Sequence, residues 1–321
     1  MSFASDTKGE LCRIDPPKKC CELAEIAGFL RVSGSLRLSG RGQITILCST
    51  ESAAAARHYR SLLQDYFHIS TELGAAEGSA MRKGHRYYLM IDPLSKSEEV
   101  LRETGILMIR EGSNYISDGI YDGLIRTKCC RKAYLRGIFI GAGTVANPEK
   151  SYDLEFVLSS RKLAQDLRKL IRSFEDLSAK ITERKGKYIV YMKNAQYISD
   201  TLALMGAHSQ VLRMEDVRIR KELLNKTVRI TNCDAANTDR ALDASEKQVQ
   251  AIRWLQEQGE YARLSEKLQA IGDLRMEHPD ASLRELGEMM DPPMQKSAVG
   301  NRLSRIVSKA EEAGFMKPDL L

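Results

Sequence analysis

Two adjacent cysteine pairs, Cys20-Cys21 and Cys129-Cys130, carry the side chains with the most chemistry to offer in this chain. A thiol attacks only as its thiolate. Each pair opens a run of small residues at helical spacing, so buried, inert side chains are expected rather than nucleophiles. The chain has seven cysteines and no Cys-x-x-Cys pair, which argues against a zinc ribbon. Scattered cysteines in a chain of 321 residues point to reduced thiols in a cytoplasmic protein. Asp153 and Glu155 lie two apart on a strand-like run and so share a face. They are candidates for a hard cation, but a polar strand face is the expected role. The histidines, at 58, 68, 85, 208 and 278, have no metal-ligand spacing. Gly141-x-Gly143 lacks the Lys-Ser/Thr of a phosphate loop.

The elements that position these residues occur twice. Lys19-Cys20-Cys21 matches Lys128-Cys129-Cys130 at an offset of 109 residues, and Ala24/Ala133, Gly28/Gly137 and Gly34/Gly143 follow at the same offset. Cys20, Ala24 and Gly28 form a stripe of small residues every fourth position, repeated as Cys129, Ala133 and Gly137. Such a stripe lets two backbones approach closely, so the two repeat helices are expected to pack side by side on a pseudo-dyad. After each helix the pattern predicts a hairpin, a helix, two more strands and a last helix. The first hairpin turns at Gly40-Arg41-Gly42 and the second at Asn147-Pro148-Glu149-Lys150. The organisation read this way is a tail over 1–17, repeats over 18–111 and 112–216, a basic then polar connector over 217–243, and an all-helical segment over 244–321. The connector is expected to let its two flanks move independently.

The repeated helix resembles the LAGLIDADG homing-endonuclease motif, present as Ile26-Ala27-Gly28-Phe29-Leu30-Arg31-Val32-Ser33-Gly34 and Leu135-Arg136-Gly137-Ile138-Phe139-Ile140-Gly141-Ala142-Gly143. With the paired Cys-Cys helices, Arg229-Ile230-Thr231-Asn232-Cys233-Asp234-Ala235-Ala236-Asn237 and Asp291-Pro292-Pro293-Met294-Gln295-Lys296-Ser297, nearly the whole chain is similar to the WhiA family of bacterial sporulation and cell-division regulators. The resemblance implies an α+β fold: a two-repeat LAGLIDADG-like αββαββα domain with pseudo-twofold symmetry, then an all-α helix-turn-helix domain. In active nucleases of the motif, the acidic residue before the last glycine holds the metal. Ser33 and Ala142 stand there, and a hydroxyl and a methyl do not replace two carboxylates. No metal, cofactor or catalytic residue is therefore expected.

The tail is the expected DNA reader. Ser282 and Glu285 have the capping-box spacing, and Asp291-Pro292-Pro293 stops the helix they begin. Ser297 is expected to cap the next helix, whose Val299, Leu303, Ile306 and Ala310 recur at core spacing. Lys296, Asn301, Arg302, Ser304, Arg305 and Lys309 fall on its other faces, and no acidic residue interrupts 296–309. That pattern fits the recognition helix of a helix-turn-helix, and the tail is similar to the promoter-reading domain of sigma factors. The turn, Asp291 to Lys296, is longer than usual. In the first repeat, Arg31, Arg37 and Arg41 are candidate phosphate contacts, whereas the second hairpin offers Lys150.

A net charge of +6 permits an anionic partner without requiring one. No signal peptide and no spanning helix are visible. The reading expected from all this is a non-enzymatic, sequence-specific regulator of cell-division, chromosome-segregation and sporulation genes. It would be cytoplasmic, nucleoid-associated and bound to promoter duplexes, with a sigma factor or another transcription regulator as candidate protein partner. The internal repeat makes a homodimer unnecessary, and a monomer is expected. The rivals are an adaptor of the division machinery, using the acidic helices between Glu246 and Glu288, and a nuclease using Asp153 and Glu155.

Overall fold

The computed structural model describes residues 2–38, 43–77, 85–94 and 96–316. The chain forms two compact units, Met1–Arg220 and Lys221–Leu321.

The first unit is organised by α2 (Lys19–Ser33) and α5 (Lys128–Ala142). Both are buried on every side over their middles, Ala24 to Leu30 and Ala133 to Ile140, as expected of helices at the centre of a fold. Their contact is reciprocal. A Cβ added at Gly28 would lie 2.4 Å from the Tyr134 carbonyl oxygen, and one added at Gly137 would lie 2.2 Å from that of Glu25. Glu25 and Tyr134 are equivalent at the repeat offset, so each glycine admits the same piece of the other backbone. The side-by-side packing read from the small-residue stripe is therefore present. Gly137→Ala would drive a methyl into main chain that cannot rotate away. It is expected to destabilise the unit by about 1–3 kcal/mol or more, read as a lowered urea midpoint; an unmoved midpoint would contradict the geometry.

Each central helix runs into a four-stranded antiparallel sheet. In repeat 1 these strands are β1 (Gly34–Leu38), β2 (Ile44–Thr50), β3 (Glu72–Glu77) and β4 (His85–Ile91), in the order β1-β2-β4-β3. α3 (Ala53–Phe67) and α4 (Ser97–Glu103) complete that copy. In repeat 2 they are β7 (Gly143–Val145), β8 (Leu154–Leu158), β9 (Lys180–Arg184) and β10 (Lys187–Met192), in the order β7-β8-β10-β9, with α6 (Arg161–Arg172) and α7 (Ala195–Met205). The repeated αββαββα order matches the sequence expectation. Ile46, Cys48, Leu89 and Ile91 of one sheet, and Leu154, Phe156, Leu158, Val190 and Met192 of the other, bury against the helices in one core. Between the repeats lie a hairpin of β5 (Leu107–Arg110) and β6 (Ser113–Ile116) and a 3-10 turn at Asp122–Ile125.

One buried charge cluster breaks the twofold equivalence. Arg136 Nη2 lies 2.5 Å from Glu25 Oε2, Arg136 Nη1 donates to the Met205 carbonyl at 3.1 Å, and His58 Nε2 is 3.0 Å from Glu25 Oε1. Glu25 is fully buried. The equivalent positions across the dyad are Tyr134 and Ala27.

Two expectations are corrected. The segment read as a tail contains α1 (Phe3–Leu11), with Phe3, Thr7 and Leu11 buried. The Glu10 carboxylate accepts hydrogen bonds from the Ser209 and Gln210 amides at 2.7 and 3.2 Å. These amides begin α8 (His208–Glu257), so Glu10 supplies the anion that a helix start favours. The segment read as a connector, 217–243, is continuous helix within the 50 residues of α8. No glycine or proline occurs between His208 and Glu257, so nothing interrupts the backbone ladder there.

The second unit adds α9 (Glu266–Glu277), α10 (Leu283–Met289) and α11 (Lys296–Glu312). Its core joins Ala251, Ile252 and Leu255 of α8 to Leu268, Ile271, Leu286, Val299, Leu303, Ile306, Ala310 and Phe315.

Candidate nucleic-acid interface

The α10–turn–α11 segment is a helix-turn-helix whose parts are held by identifiable contacts. The capping box is formed: Ser282 Oγ accepts from the Glu285 amide at 3.3 Å, and Glu285 accepts from the Ser282 amide at 2.8 Å. That pairing holds the Glu285 carboxyl below its usual range, chiefly through the Ser282 backbone amide. Arg275, nearly fully buried, donates from one nitrogen to the Ala281 and Pro279 carbonyls at 2.6 and 3.1 Å, fixing the loop into α10. The long turn folds back on α10. Met294 N–H donates to the Gly287 carbonyl at 2.8 Å, and a Cβ on Gly287 would lie 2.2 Å from the Met294 carbonyl oxygen. Glycine at 287 is what lets an extended turn close tightly on the helix.

Helix α11 starts one residue before the expected cap. Gln295 is its N-cap and makes no side-chain capping bond, and Ser297 stands inside the first turn, exposed. Val299, Leu303, Ile306 and Ala310 are all fully buried, which fixes the helix's rotation. At 3.6 residues per turn, the face opposite them carries Ser297, Asn301, Ser304, Arg305 and Ser308. All five are exposed. Arg302 is half-buried, and it flanks this face on the same edge as exposed Lys309. Exposed Lys296 sits at the helix start. Among the described residues, none of Lys296, Arg302, Arg305 and Lys309 forms an ion pair. The first acidic side chain at the far end, Glu311, is paired with Lys247 at 2.6 Å.

The arginines expected on the first hairpin divide. Arg37 is exposed on β1. Arg31 turns inward instead: its guanidinium donates to the Ser117 carbonyl and, at 2.9 Å, to the Gly105 carbonyl. It holds the inter-repeat hairpin region and is not presented to a ligand. Arg41 and its glycine turn lie outside the described residues. On the second copy, Lys150 is exposed. The sequence reading missed a larger basic group there. Register pairs Lys187 with Arg184 and Tyr191 with Lys180, placing Lys180, Arg184 and Lys187 on the sheet face away from the core, all exposed. Their alternation along β9 was visible as Lys180-x-Thr182-x-Arg184.

At the carboxy ends of α2 and α5, Ser33 and Gly141 meet: a Cβ on Gly141 would lie 2.6 Å from Ser33 Oγ. Among the described residues Ser33 Oγ is buried without a hydrogen-bond partner, and Ala142, next to Gly141 in sequence, is half-buried. A cavity of about 1460 Å³ opens alongside, lined by Ser33, Lys8, Arg57, Arg86 and three acidic residues, Asp15, Glu51 and Asp65. Glu51 pairs with Arg86 at 3.6 Å. Among the described residues these three carboxylates do not form a cluster of ligand atoms, and Ser33 and Ala142 offer no carboxylate at the helix ends. Asp153 falls just before β8, while Glu155 pairs in register with Thr144 and Tyr191. Among the described residues, neither joins a group of three or more potential metal donors.

The cysteine pairs lie at the opposite, amino ends of α2 and α5. Cys21 and Cys130 are buried as expected, but Cys129 is half-buried and Cys20 exposed.

Family comparisons agree along the chain. Models described as the WhiA N-terminal LAGLIDADG-like domain, the WhiA LAGLIDADG-like domain and the WhiA C-terminal HTH domain match residues 19–107, 131–224 and 227–310. The chain is 41% identical over 306 residues to a probable cell division protein WhiA of Alkaliphilus metalliredigens, covering 95% of this chain and 96% of that one. It is 40% identical over 312 residues to the protein of the same description from Clostridium perfringens strain 13, covering 97% and 98%. The solved full-length WhiA of Thermatoga maritima superposes with a TM-score of 0.60 at 22% identity, covering 98% of this chain and all (100%) of that one. That likeness shows the fold. Among the described residues, no helix is long and apolar enough to cross a membrane.

Proposed function

The chain belongs to the WhiA family, and from that premise we propose that it is a non-enzymatic, sequence-specific DNA-binding regulator of bacterial cell-division, chromosome-segregation and sporulation genes. The observation that carries the proposal is the outward face of α11. It presents Asn301 and Arg305, flanked by Arg302 and Lys309, with no acidic side chain between 296 and 309. Asn and Arg are the side chains that read adenine and guanine edges in the major groove. Cations beside them hold the phosphates, with Lys296, Ser297 and Ser304 completing the contact set. Arg37, Lys180, Arg184 and Lys187 add sequence-independent affinity from the sheets. Ser33 and Ala142 leave the scaffold without a cleavage centre, so the LAGLIDADG-like domain serves to bind and not to cut. Promoter duplex is the primary partner, and the protein acts as a monomer on the nucleoid.

Two assays test this. Genomic occupancy of the full chain, compared with its Arg305→Ala variant, should show sharp peaks at a few promoters that vanish on substitution. Peaks that persist would move specificity to the sheet faces. Supercoiled plasmid incubated with Mg²⁺ or Mn²⁺ should stay supercoiled; nicking abolished by Asp153→Asn or Glu155→Gln would establish a nuclease instead. One observation favours a second reading, a protein-docking adaptor. Leu223 and Ile230, seven residues apart, fall on one face of α8 in the second unit, and both are more than half exposed. Diffuse occupancy in both proteins would favour that reading.

A further inference from the structure

Three thiols from two different repeats meet at the amino ends of α2 and α5, with a fourth adjacent in sequence. Sγ atoms of Cys20, Cys21 and Cys130 all lie within 4.8 Å of one another. The fourth, Cys129, is next to Cys130 in sequence but lies outside that set of three. Each repeat contributes one adjacent pair, so the donors surround the pseudo-dyad. A zinc motif search along the sequence does not find such a set, because the two halves of the ligand shell are separated by the whole first repeat.

Packing alone does not account for this group. Cys21 and Cys130 belong to the apolar core, but their sulfurs also gather with that of Cys20 across the two repeats. Cys20 is exposed and Cys129 half-buried, which gives an ion a route from solvent. The electrostatics favour negative charge. Two helix amino ends point at the cluster, and Lys18 and Lys128 stand exposed beside it in sequence. The Thr127 hydroxyl lies 3.2 Å from Cys129 Sγ.

We infer that Cys20, Cys21, Cys129 and Cys130 form a tetrahedral thiolate site for one soft divalent cation of the Zn²⁺ class, tying the two repeats together at the start of their dyad helices. Zinc–sulfur bonds of about 2.3 Å require sulfurs roughly 3.8 Å apart, so the Cys20, Cys21 and Cys130 sulfurs need to contract by no more than about 1 Å, and Cys129 swings in to complete the set. Each coordinating thiol gives its proton to solvent as its bond to the metal forms. No electron changes hands. The site lies at the far end of the helices from Ser33 and Ala142, about 20 Å away at 1.5 Å per residue. It is therefore structural and independent of whether α11 reads DNA.

The test is a Co²⁺ titration of the reduced, chelator-stripped full chain, followed by Zn²⁺ competition. Binding of one Co²⁺ per chain is expected, with the d–d and thiolate charge-transfer bands of a tetrahedral sulfur site, bleached by Zn²⁺. Cys20→Ser, at an exposed position that should leave folding intact, is expected to weaken Co²⁺ binding by more than about 100-fold. Cys21→Ser should do the same, and Cys233→Ser should change nothing. Absence of the bands, or bands that survive Cys20→Ser combined with Cys129→Ser, would overturn the assignment. So would loss of the thiols to an inter-repeat disulfide in air with no metal taken up.

Discussion

Replacing Asn301 and Arg305 together by alanine is expected to abolish discrimination between promoter and unrelated duplex while leaving the protein folded. Both side chains are exposed on α11 and neither joins the core of the second unit, so stability has no stake in them. Each lost base contact costs about 1–3 kcal/mol, or roughly 5- to 150-fold in affinity. The double variant should therefore fall by more than about tenfold on fragments recovered from genomic occupancy. Its weak affinity for unrelated DNA should change little, because phosphate contacts carry that term. Arg302→Ala and Lys309→Ala make the contrast. They should weaken both kinds of binding alike and each lower the salt slope by about 1. Gel-shift titrations at several salt concentrations read both quantities. If the double variant loses affinity equally for all sequences, these residues hold the backbone and the reader is elsewhere.

The second large effect concerns folding. Arg136→Met should destabilise the first unit by about 3–5 kcal/mol, since it leaves the Glu25 carboxylate buried beside His58 without its guanidinium. Removing both charges, as Glu25→Leu with Arg136→Met, should recover much of the loss, because well-packed apolar groups can replace a buried pair. The chain offers a built-in control. Its single tryptophan, Trp254, lies in the second unit against Phe315. Circular dichroism during urea unfolding should show the first unit melting early, while the Trp254 fluorescence transition stays in place. A shift in the fluorescence midpoint of equal size would mean that the two units unfold as one.

Periodicity made the repeats legible because their helices and strands each bury one consistent face. Leu154, Phe156 and Leu158 alternate along β8, and Val299, Leu303, Ile306 and Ala310 recur along α11, so spacing alone identified both. The same logic explains what was missed. Helix α8 is exposed on all sides from Glu222 to Ala244, its apolar residues face no core there and lapse after Ile230, and the polar run around Asn232 to Asn237 imitates a loop. The absence of glycine and proline was the available signal. Helix α1 buries only Phe3, Thr7 and Leu11, too few to show a period against its polar remainder. Arg31 was read as a phosphate contact because charge is visible in sequence and direction is not. Its partners, Gly105 and Ser117, are distant carbonyls that no local pattern predicts. The thiol cluster was hidden for a related reason: its geometry belongs to the pairing of two segments, and neither segment holds it alone.

The Glu25–Arg136 pair also says something about inheritance. In a homodimer built from one such repeat, any substitution on the dyad appears in both halves at once. An arginine at the Ala27 position would bring two guanidinium groups into the same dry interface, each needing its own carboxylate. Fusing two copies into one gene frees them to diverge. Here one copy carries Arg136 and the other Ala27, with Glu25 facing the arginine and Tyr134 in the mirrored place. A chain fused this way can evolve an asymmetric surface for an asymmetric target, which a symmetric ancestor could not have tracked one half at a time.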